Sequence, residues 1–141
     1  MESSPLCSVE SPEEAERLIQ EGADVNQEDV CGVPPLFRSK SRAIAQVLID
    51  HGAIVVFSGD KALKLLVYAK DLSILELFLQ NGALTNGTDC CGNTILHYCW
   101  DNIPRCNMLI QYGADPHARN QFLRRYNENE ITLSKYKMEK D

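Results

Sequence analysis

The stretch Gly22-Ala23-Asp24-Val25-Asn26 returns along the chain as Gly52-Ala53-Ile54-Val55, as Gly82-Ala83-Leu84-Thr85-Asn86 and as Gly113-Ala114-Asp115-Pro116. The first glycines of these phrases stand at positions 22, 52, 82 and 113, so that the phrase recurs at a nearly constant interval. Even spacing of one Gly-Ala pair indicates a structural unit that is repeated along the chain. The fold class therefore follows from the repeat.

The segment before each Gly-Ala pair has the periodicity of an amphipathic helix. These segments are AERLIQE before Gly22, RAIAQVLIDH before Gly52, LSILELFLQN before Gly82 and IPRCNMLIQY before Gly113. Their apolar residues recur at the spacing i, i+3, i+4, which places them on one face of a helix. The glycine then follows where a helix ends in a left-handed turn, a conformation that glycine adopts without steric cost.

A second motif follows the Gly-Ala pairs. Gly32-Val33-Pro34-Pro35-Leu36-Phe37 and Gly92-Asn93-Thr94-Ile95-Leu96-His97 share a Gly-x-(Thr/Pro)-x-Leu frame, which residues 59–64 fit loosely. The two motifs together resemble the ankyrin repeat, in which Thr-Pro-Leu-His opens a first helix and Gly-Ala-Asp closes a second. The resemblance extends from about residue 9 to about residue 117.

The resemblance implies an all-α fold, an ankyrin-type α-solenoid of about four stacked helix–turn–helix repeats with half-repeat caps at both ends. We expect residues 1–141 to form a single ankyrin repeat domain. Its predicted parts are an N-terminal capping half-repeat at 1–26, repeats at 27–56, 57–86 and 87–117, and a C-terminal cap at 118–141.

Several departures from the family pattern predict local changes. The number of positions from motif glycine to closing glycine is 20, 23 and 21 in the three repeats, against about 24 in the family. The first helix or the following loop is therefore expected to be about one turn shorter in two of the three repeats. Residues 122–126 are interpreted as an insertion before a C-terminal capping helix. Residues 129–134 match the Gly-x-(Thr/Pro)-x-Leu frame weakly and would begin that helix.

The motif residues have expected roles in holding the repeat together. By the resemblance, His97 hydrogen-bonds the backbone of a neighbouring turn. In the second repeat Pro34 and Phe37 replace the motif's Thr and His. That repeat is therefore expected to depend on packing instead of these hydrogen bonds.

Composition and charge exclude several classes of protein. The content of 44% hydrophobic and 24% charged residues is typical of a soluble folded chain. The net charge of -6 argues against a general nucleic-acid binder. This charge is concentrated in residues 1–30, which hold nine acids and one base, whereas residues 31–141 hold eleven acids and thirteen bases.

The apolar runs and the cysteines of the sequence indicate in which cellular compartment the protein is expected. No apolar run approaches the roughly 20 residues of a membrane helix, and residues 1–10 lack the features of a secretory signal. The six cysteines are therefore expected to be reduced. We expect a cytoplasmic or nuclear protein that binds neither membrane nor nucleic acid.

No catalytic constellation stands out. His51, His97 and His117 occupy positions that the repeat explains, and no nucleophile or phosphate-binding motif is present. We expect no enzymatic activity, no metal and no cofactor. One alternative is a thiol- or zinc-dependent enzyme or redox protein that uses Cys90, Cys91 and His97, although the spacing lacks a Cys-x-x-Cys pair.

Protein binding is the function that the resemblance implies, because repeat arrays present a concave face of finger tips and inner helices. Carried over residue by residue, the partner-binding positions are Val30, Val33, Arg38, Phe57, Asp60, Tyr68, Cys90, Cys91, Asn93, Trp100 and Asp101. Several are apolar where water is expected, which is typical of an interface. An alternative for Phe57 and Trp100 is that their rings fill gaps left by the shortened helices.

The expected function is therefore binding of another protein, of unknown identity, as an inhibitor or adaptor. Divergent repeats of this kind also resemble those that viruses and intracellular bacteria direct at host proteins, so such an origin is a further expectation. The chain is expected to be a monomer, and a homodimer formed through the apolar positions is the alternative. Asn26 and Asn86 stand where ankyrin-hydroxylating oxygenases modify this family, which predicts hydroxylation there.

Overall fold

The computed structural model of the chain describes residues 4–122, 124 and 125. This part of the chain holds six α-helices, two short 3-10 helices and no β-strand. The α-helices are α1 (Pro12–Gln20), α2 (Arg42–Asp50), α3 (Gly59–Tyr68), α4 (Leu72–Gln80), α5 (Ile95–Tyr98) and α6 (Ile103–Gln111), and the 3-10 helices are Pro5–Ser8 and Pro35–Arg38. The predicted all-α class is confirmed.

The described residues divide into two compact units, each built from separate segments of the chain. Unit 1 comprises residues 4–56 and 68–83, and unit 2 comprises residues 57–67 together with the described residues from 84 onward. The predicted repeat at 57–86 therefore contributes to both units. The single domain and its repeat boundaries stay a prediction, and the part of the cap at 118–141 that follows Arg125 lies outside the described residues.

The long helices of unit 1 begin at side-chain caps that the sequence places one residue before them. The Ser11 hydroxyl accepts from the backbone N–H of Glu14 at 3.1 Å and so caps the start of α1. Ser41 caps α2 and Asp71 caps α4 in the same way. In this unit α1 packs against α2, α2 packs against α4, and the two 3-10 helices pack against each other.

Each long helix that precedes a Gly-Ala pair ends as the phrase predicts. At the end of α2, Gly52 has a φ of +96°, and the backbone N–H of Ala53 donates to Leu48 O at 2.9 Å. The same bond to the carbonyl five residues earlier ends α1, α4 and α6. These bonds satisfy carbonyl groups that the end of a helix would otherwise leave open.

The inner helices are shortened where the glycine spacing is short. In the repeat with 20 positions between its glycines, the inner segment forms only the 3-10 helix Pro35–Arg38, and in the repeat with 21 positions α5 has four residues. By contrast α3, in the repeat with the longest glycine spacing, has ten residues. The expected loss of about one turn is confirmed in both shortened repeats. The predicted N-terminal half-repeat carries Pro5–Ser8 in addition to α1.

The core of unit 2 is formed by buried aliphatic side chains of α3, α5 and α6. Leu63 and Leu66 of α3, Leu96 of α5 and Leu109 of α6 are all at most 3% exposed. The guanidinium of Arg105 on α6 also donates to Leu66 O at 3.2 Å. Among the described residues, no helix has both the length and the apolar character that crossing a membrane requires.

Candidate functional site

A turn built on Asp29 places the first predicted binding residues. The backbone N–H of Asp29 donates to Val33 O at 3.0 Å, and its carboxylate accepts from Cys31 N at 2.9 Å and from Val33 N at 3.1 Å. The other carboxylate oxygen accepts from Arg38 Nε at 3.0 Å. Burial raises the pKa of Asp29, but the two N–H groups and Arg38 lower it by more, so that the pKa lies below its usual value.

A turn with the same hydrogen bonds is built on Asp89. Its carboxylate accepts from Cys91 N and Asn93 N, both at 2.9 Å, and Asp89 N donates to Asn93 O at 3.1 Å. The hydroxyl of Tyr98 on α5 also donates to this carboxylate. Burial raises the pKa of Asp89. The hydrogen bonds from the Tyr98 hydroxyl and from the N–H groups of Asn93 and Cys91 lower this pKa by more, so that it lies below its usual value.

A third turn of this kind is built on Asn120, which follows Asp89 at the same interval as the Gly-Ala phrases follow one another. Asn120 Oδ1 accepts from Phe122 N at 2.9 Å and from Arg124 N at 3.1 Å, and Asn120 N donates to Arg124 O at 2.9 Å. We call these three segments, residues 29–33, residues 89–93 and the described residues of 120–124, the finger turns. The interpretation of residues 122–126 as an insertion is therefore wrong for Phe122 and Arg124, and the frame at 129–134 lies outside the described residues.

In unit 1 the structure brings Arg38 and Tyr68 together. The Arg38 guanidinium carbon lies 5.7 Å from the centre of the Tyr68 ring, and the Phe37 ring meets the same ring edge-on at 5.8 Å. Arg38 and Tyr68 are both exposed, and Val30 at the nearby turn is 65% exposed. We call Asp29, Val30, Arg38 and Tyr68 the Arg38–Tyr68 cluster.

Val33 is a correction to the predicted surface. Its side chain is only 9% exposed, because the Asp29 turn directs it inward, next to the buried Pro34 and Pro35. The thiol of Cys7 also donates to Val33 O at 3.7 Å. Its selection as an apolar residue that faces water is therefore wrong.

Trp100 and Asp101 were expected on the surface of an inner helix, but the structure places them outside it. Helix α5 ends at Tyr98, so that both residues belong to the turn before α6. Trp100 is half-buried and Asp101 is exposed. The residue that α5 exposes instead is Tyr98, at 52%, and this residue was missed because the helix was expected to continue.

Phe57 and Asp60 lie at the start of unit 2. The Phe57 ring is half-buried, and the ammonium of Lys61 lies 5.3 Å from its centre. Asp60 is exposed and pairs with Lys64 at 3.2 Å, one helical turn later. Phe57 is therefore neither a fully exposed anchor nor a fully buried filler.

Cys90, Cys91 and His97 are distributed between a finger turn and α5. The two thiol sulfurs lie 4.0 Å apart, with Cys90 exposed and Cys91 half-buried. The hydrogen bond and the charge of Cys90, with burial, raise the pKa of Cys91, whereas an activated thiol requires a lowered one. Within the described residues, no group of three or more His, Cys, Asp or Glu side chains is placed to hold a metal ion.

The imidazole of His97 has a structural position, as the motif implied. Its Nδ1 accepts from Thr94 N at 2.9 Å at the start of α5, which leaves the ring proton on Nε2. That proton is donated to Arg124 O at 2.8 Å in the third finger turn. His97 therefore connects α5 to this turn through backbone groups.

Asn26 and Asn86 each hydrogen-bond to the Gly-Ala phrase that follows along the chain. The amide of Asn26 accepts from Ile54 N at 2.9 Å and donates to Gly52 O at 3.2 Å. The amide of Asn86 accepts from Asp115 N at 3.2 Å. Hydroxylation of Asn26 and Asn86 stays a prediction.

Comparison with known proteins agrees with this geometry. Residues 91–121 match the family model of the ankyrin repeat. The chain contains an ankyrin repeat. The matched segment includes α5, α6, the turn at Gly113 and the beginning of the third finger turn. No curated protein matches the chain. An ankyrin repeat is a protein–protein interaction module, and the family is generally non-catalytic.

Proposed function

We propose that this protein is a non-catalytic ankyrin-type module that binds a partner protein through the Arg38–Tyr68 cluster. The observation that carries the proposal is the contact between Arg38 and the Tyr68 ring, two exposed side chains that lie far apart in sequence. Arginine and tyrosine are enriched among the residues that contribute most to binding energy at interfaces.

The side chains of the Arg38–Tyr68 cluster are held in position by contacts within the chain itself. Asp29 holds the Arg38 guanidinium from one side, and the Phe37 ring holds Tyr68 from the other. A partner that binds here loses less free energy to side-chain ordering than it would with mobile side chains. The exposed Val30 adds apolar surface beside the two polar groups.

The finer features of the proposal come from the resemblance. We place the contact on the face expected to be concave, and the protein then acts as an inhibitor that blocks another ligand or as an adaptor. Its six free thiols support a cytoplasmic or nuclear location. The proposal takes the chain as a monomer, with a virus or an intracellular bacterium as its source.

Affinity capture with matched variants tests the function. The bait proteins are wild type, Arg38→Glu, Tyr68→Ala and the control Tyr112→Ala, whose tyrosine is 39% exposed, against 38% for Tyr68. We expect a partner retained by wild type and Tyr112→Ala to bind roughly tenfold or more weakly to the other two variants, as for interface hot spots.

Quantitative mass spectrometry identifies the retained proteins, and titration of the purified partner then measures the affinities. Thermal melting of each bait shows whether it is folded. If every specifically retained protein binds folded Arg38→Glu and Tyr68→Ala as tightly as wild type, the proposed surface is wrong.

A further inference from the structure

The finger turn at residues 89–93 carries two adjacent thiols. Cys90 and Cys91 stand at the two central positions of the segment from Asp89 to Gly92. A backbone hydrogen bond from Gly92 N to Asp89 O closes this segment at 3.0 Å. The two sulfurs lie 4.0 Å apart, with Cys90 exposed and Cys91 half-buried. One ligand can therefore reach the pair from solvent and contact both sulfurs.

The backbone of this turn is held by contacts within unit 2. Cys91 N donates to the Asp89 carboxylate at 2.9 Å, and Cys91 O accepts from Gln121 N at 2.7 Å. Gly92 has a φ of +77°, and a side chain there would come within 3.3 Å of the Asn120 backbone. Only rotation of the two side chains can therefore separate the sulfurs. A ligand that bridges them loses less free energy to ordering than it would on a mobile loop.

The number of sulfur ligands decides which metal ion fits the pair. Because metal–sulfur bonds are about 2.3 Å long, one ion can contact two sulfurs that lie 4.0 Å apart. Thiolates select soft ions, namely Cu(I), zinc and the iron of iron–sulfur clusters. Zinc and iron–sulfur clusters are held by about four protein ligands, whereas Cu(I) forms stable complexes with two thiolates. A site with two sulfurs therefore favours Cu(I).

The other donor groups of this region are already used in hydrogen bonds. The Asp89 carboxylate accepts from two backbone N–H groups of its own turn and from the Tyr98 hydroxyl. Both ring nitrogens of His97 are engaged by backbone groups. Among the residues that the structure describes, no third His, Cys, Asp or Glu joins the two thiols in a metal-binding group. The pair is therefore a two-ligand site.

We propose that Cys90 and Cys91 form a two-coordinate binding site for Cu(I). Two S–H bonds are replaced by two Cu–S bonds, and the two protons pass to water. The copper keeps its oxidation state, so that no oxidant or reductant takes part. The site lies outside the Arg38–Tyr68 cluster, and it replaces the expectation from the sequence that the chain binds no metal.

A disulfide is the other product that two neighbouring thiols can form. The Cα atoms of adjacent residues lie about 3.8 Å apart, which is less than the roughly 4.4–6.8 Å usual for a disulfide. A bond between Cys90 and Cys91 would therefore distort the turn, whereas an ion between the sulfurs leaves the turn as it is.

The first finger turn provides a matched comparison within the same chain. Its Asp29 carboxylate accepts the same two backbone hydrogen bonds, and Cys31 stands at the position that Cys91 has in the second turn. At the position of Cys90 it carries Val30. The first turn therefore offers one thiol where the second offers two, and Val30→Cys is expected to create a second site for Cu(I).

Titration of the reduced full chain with Cu(I) under argon, with bicinchoninate as the competing chelator, tests the inference. We expect wild type to take one Cu(I) from the chelator. Cys90→Val and Cys91→Ser should each bind this ion roughly hundredfold or more weakly, because the loss of outer-shell partners alone weakens metal binding about 10–100-fold. The control Cys31→Val should bind the ion as wild type does. X-ray absorption at the copper edge should show two sulfur neighbours.

Three outcomes would overturn the inference, with thermal melting as the check that each variant folds. The first is tight Cu(I) binding that persists in Cys90→Val, which would indicate other thiols, such as the buried Cys99 and Cys106, whose sulfurs lie 3.6 Å apart. The second is a zinc ion that wild type retains against a chelator, because zinc requires further ligands. The third is a folded Val30→Cys that gains no second copper ion.

Discussion

At the scale of single residues, the finger turns are held by one side chain each. Asp29, Asp89 and Asn120 accept from the backbone N–H groups two and four residues later. Short polar side chains stabilise turns in this way because they can reach their own following backbone. The repeated bonds position exposed side chains next to the inner helices, where a partner can reach them.

Acidification is expected to lower the free energy of unfolding, because it protonates Asp89. Its folded pKa lies below the value of about 3.8 for an unperturbed aspartate, so the unfolded chain binds more protons between these two values. The stabilisation is present above about pH 4 and is lost as the pH falls through the folded pKa.

Urea unfolding of wild type and Asp89→Asn across this pH range measures the effect. Asp89→Asn should lose less unfolding free energy on acidification than wild type does. Asp60→Asn is the control, because the ion pair of Asp60 lies within α3 and this residue holds none of the described finger turns. A pH profile of Asp89→Asn that parallels wild type would remove Asp89 as the cause.

At the scale of elements, two shortened inner helices begin in different ways. Helix α5 is preceded by its cap residue Thr94, whose backbone N–H donates to the ring of His97. The 3-10 helix Pro35–Arg38 begins after Pro34, which has no N–H to donate, and Phe37 stands at the position of the histidine. There the Phe37 ring is 5% exposed and packs against Tyr68. Packing therefore replaces the hydrogen bond in this repeat, as predicted.

Phe37→His is expected to destabilise the protein, although it restores the family motif. The imidazole would be buried without the N–H partner that Thr94 supplies in the other repeat, at a cost of about 1–3 kcal/mol. Chemical denaturation measures the free energy of unfolding, with Phe37→Leu as the control that keeps the site apolar. A Phe37→His variant as stable as Phe37→Leu would show that the missing N–H is unimportant.

At the scale of the whole molecule, segments far apart in sequence complete each unit. Residues 57–67 belong to unit 2, whereas residues 68–83, which follow them directly, belong to unit 1. Within unit 2, Gly87 lies so close to Gly59 that a side chain at residue 87 would collide with the Gly59 carbonyl and contact Ala62. The approach of these two segments depends on the absence of a side chain at Gly87.

Gly87→Ala is therefore expected to destabilise the chain by about 1–3 kcal/mol, because the added methyl group meets backbone that cannot rotate away. Denaturant unfolding of Gly87→Ala measures the loss, and Thr88→Ala at the exposed neighbouring position is the control. Near-identical unfolding midpoints for the two variants would show that unit 2 tolerates the extra atom.

Part of the binding surface could be predicted from the sequence, and part could not. The repeat register identified Val30, Arg38 and Tyr68 as surface positions, which the structure describes as exposed. It misplaced Val33, because side-chain direction within a finger turn depends on hydrogen bonds that the register does not specify. The repeat register did not predict the turn at Asn120. The separation of Asn120 from Asp89 by one repeat length could have indicated this turn.

The sequence by itself determined where helices begin and end, because caps such as Ser11 and turn glycines such as Gly52 act on backbone within a few residues. It also determined which inner helices are short, since the number of residues between glycines limits helix length. Only the tertiary structure decided which side chains come together, such as Arg38 with Tyr68 and Asn93 with Asn120. Those contacts depend on how separate segments pack within each unit, and packing is a property of the folded chain rather than of any local stretch.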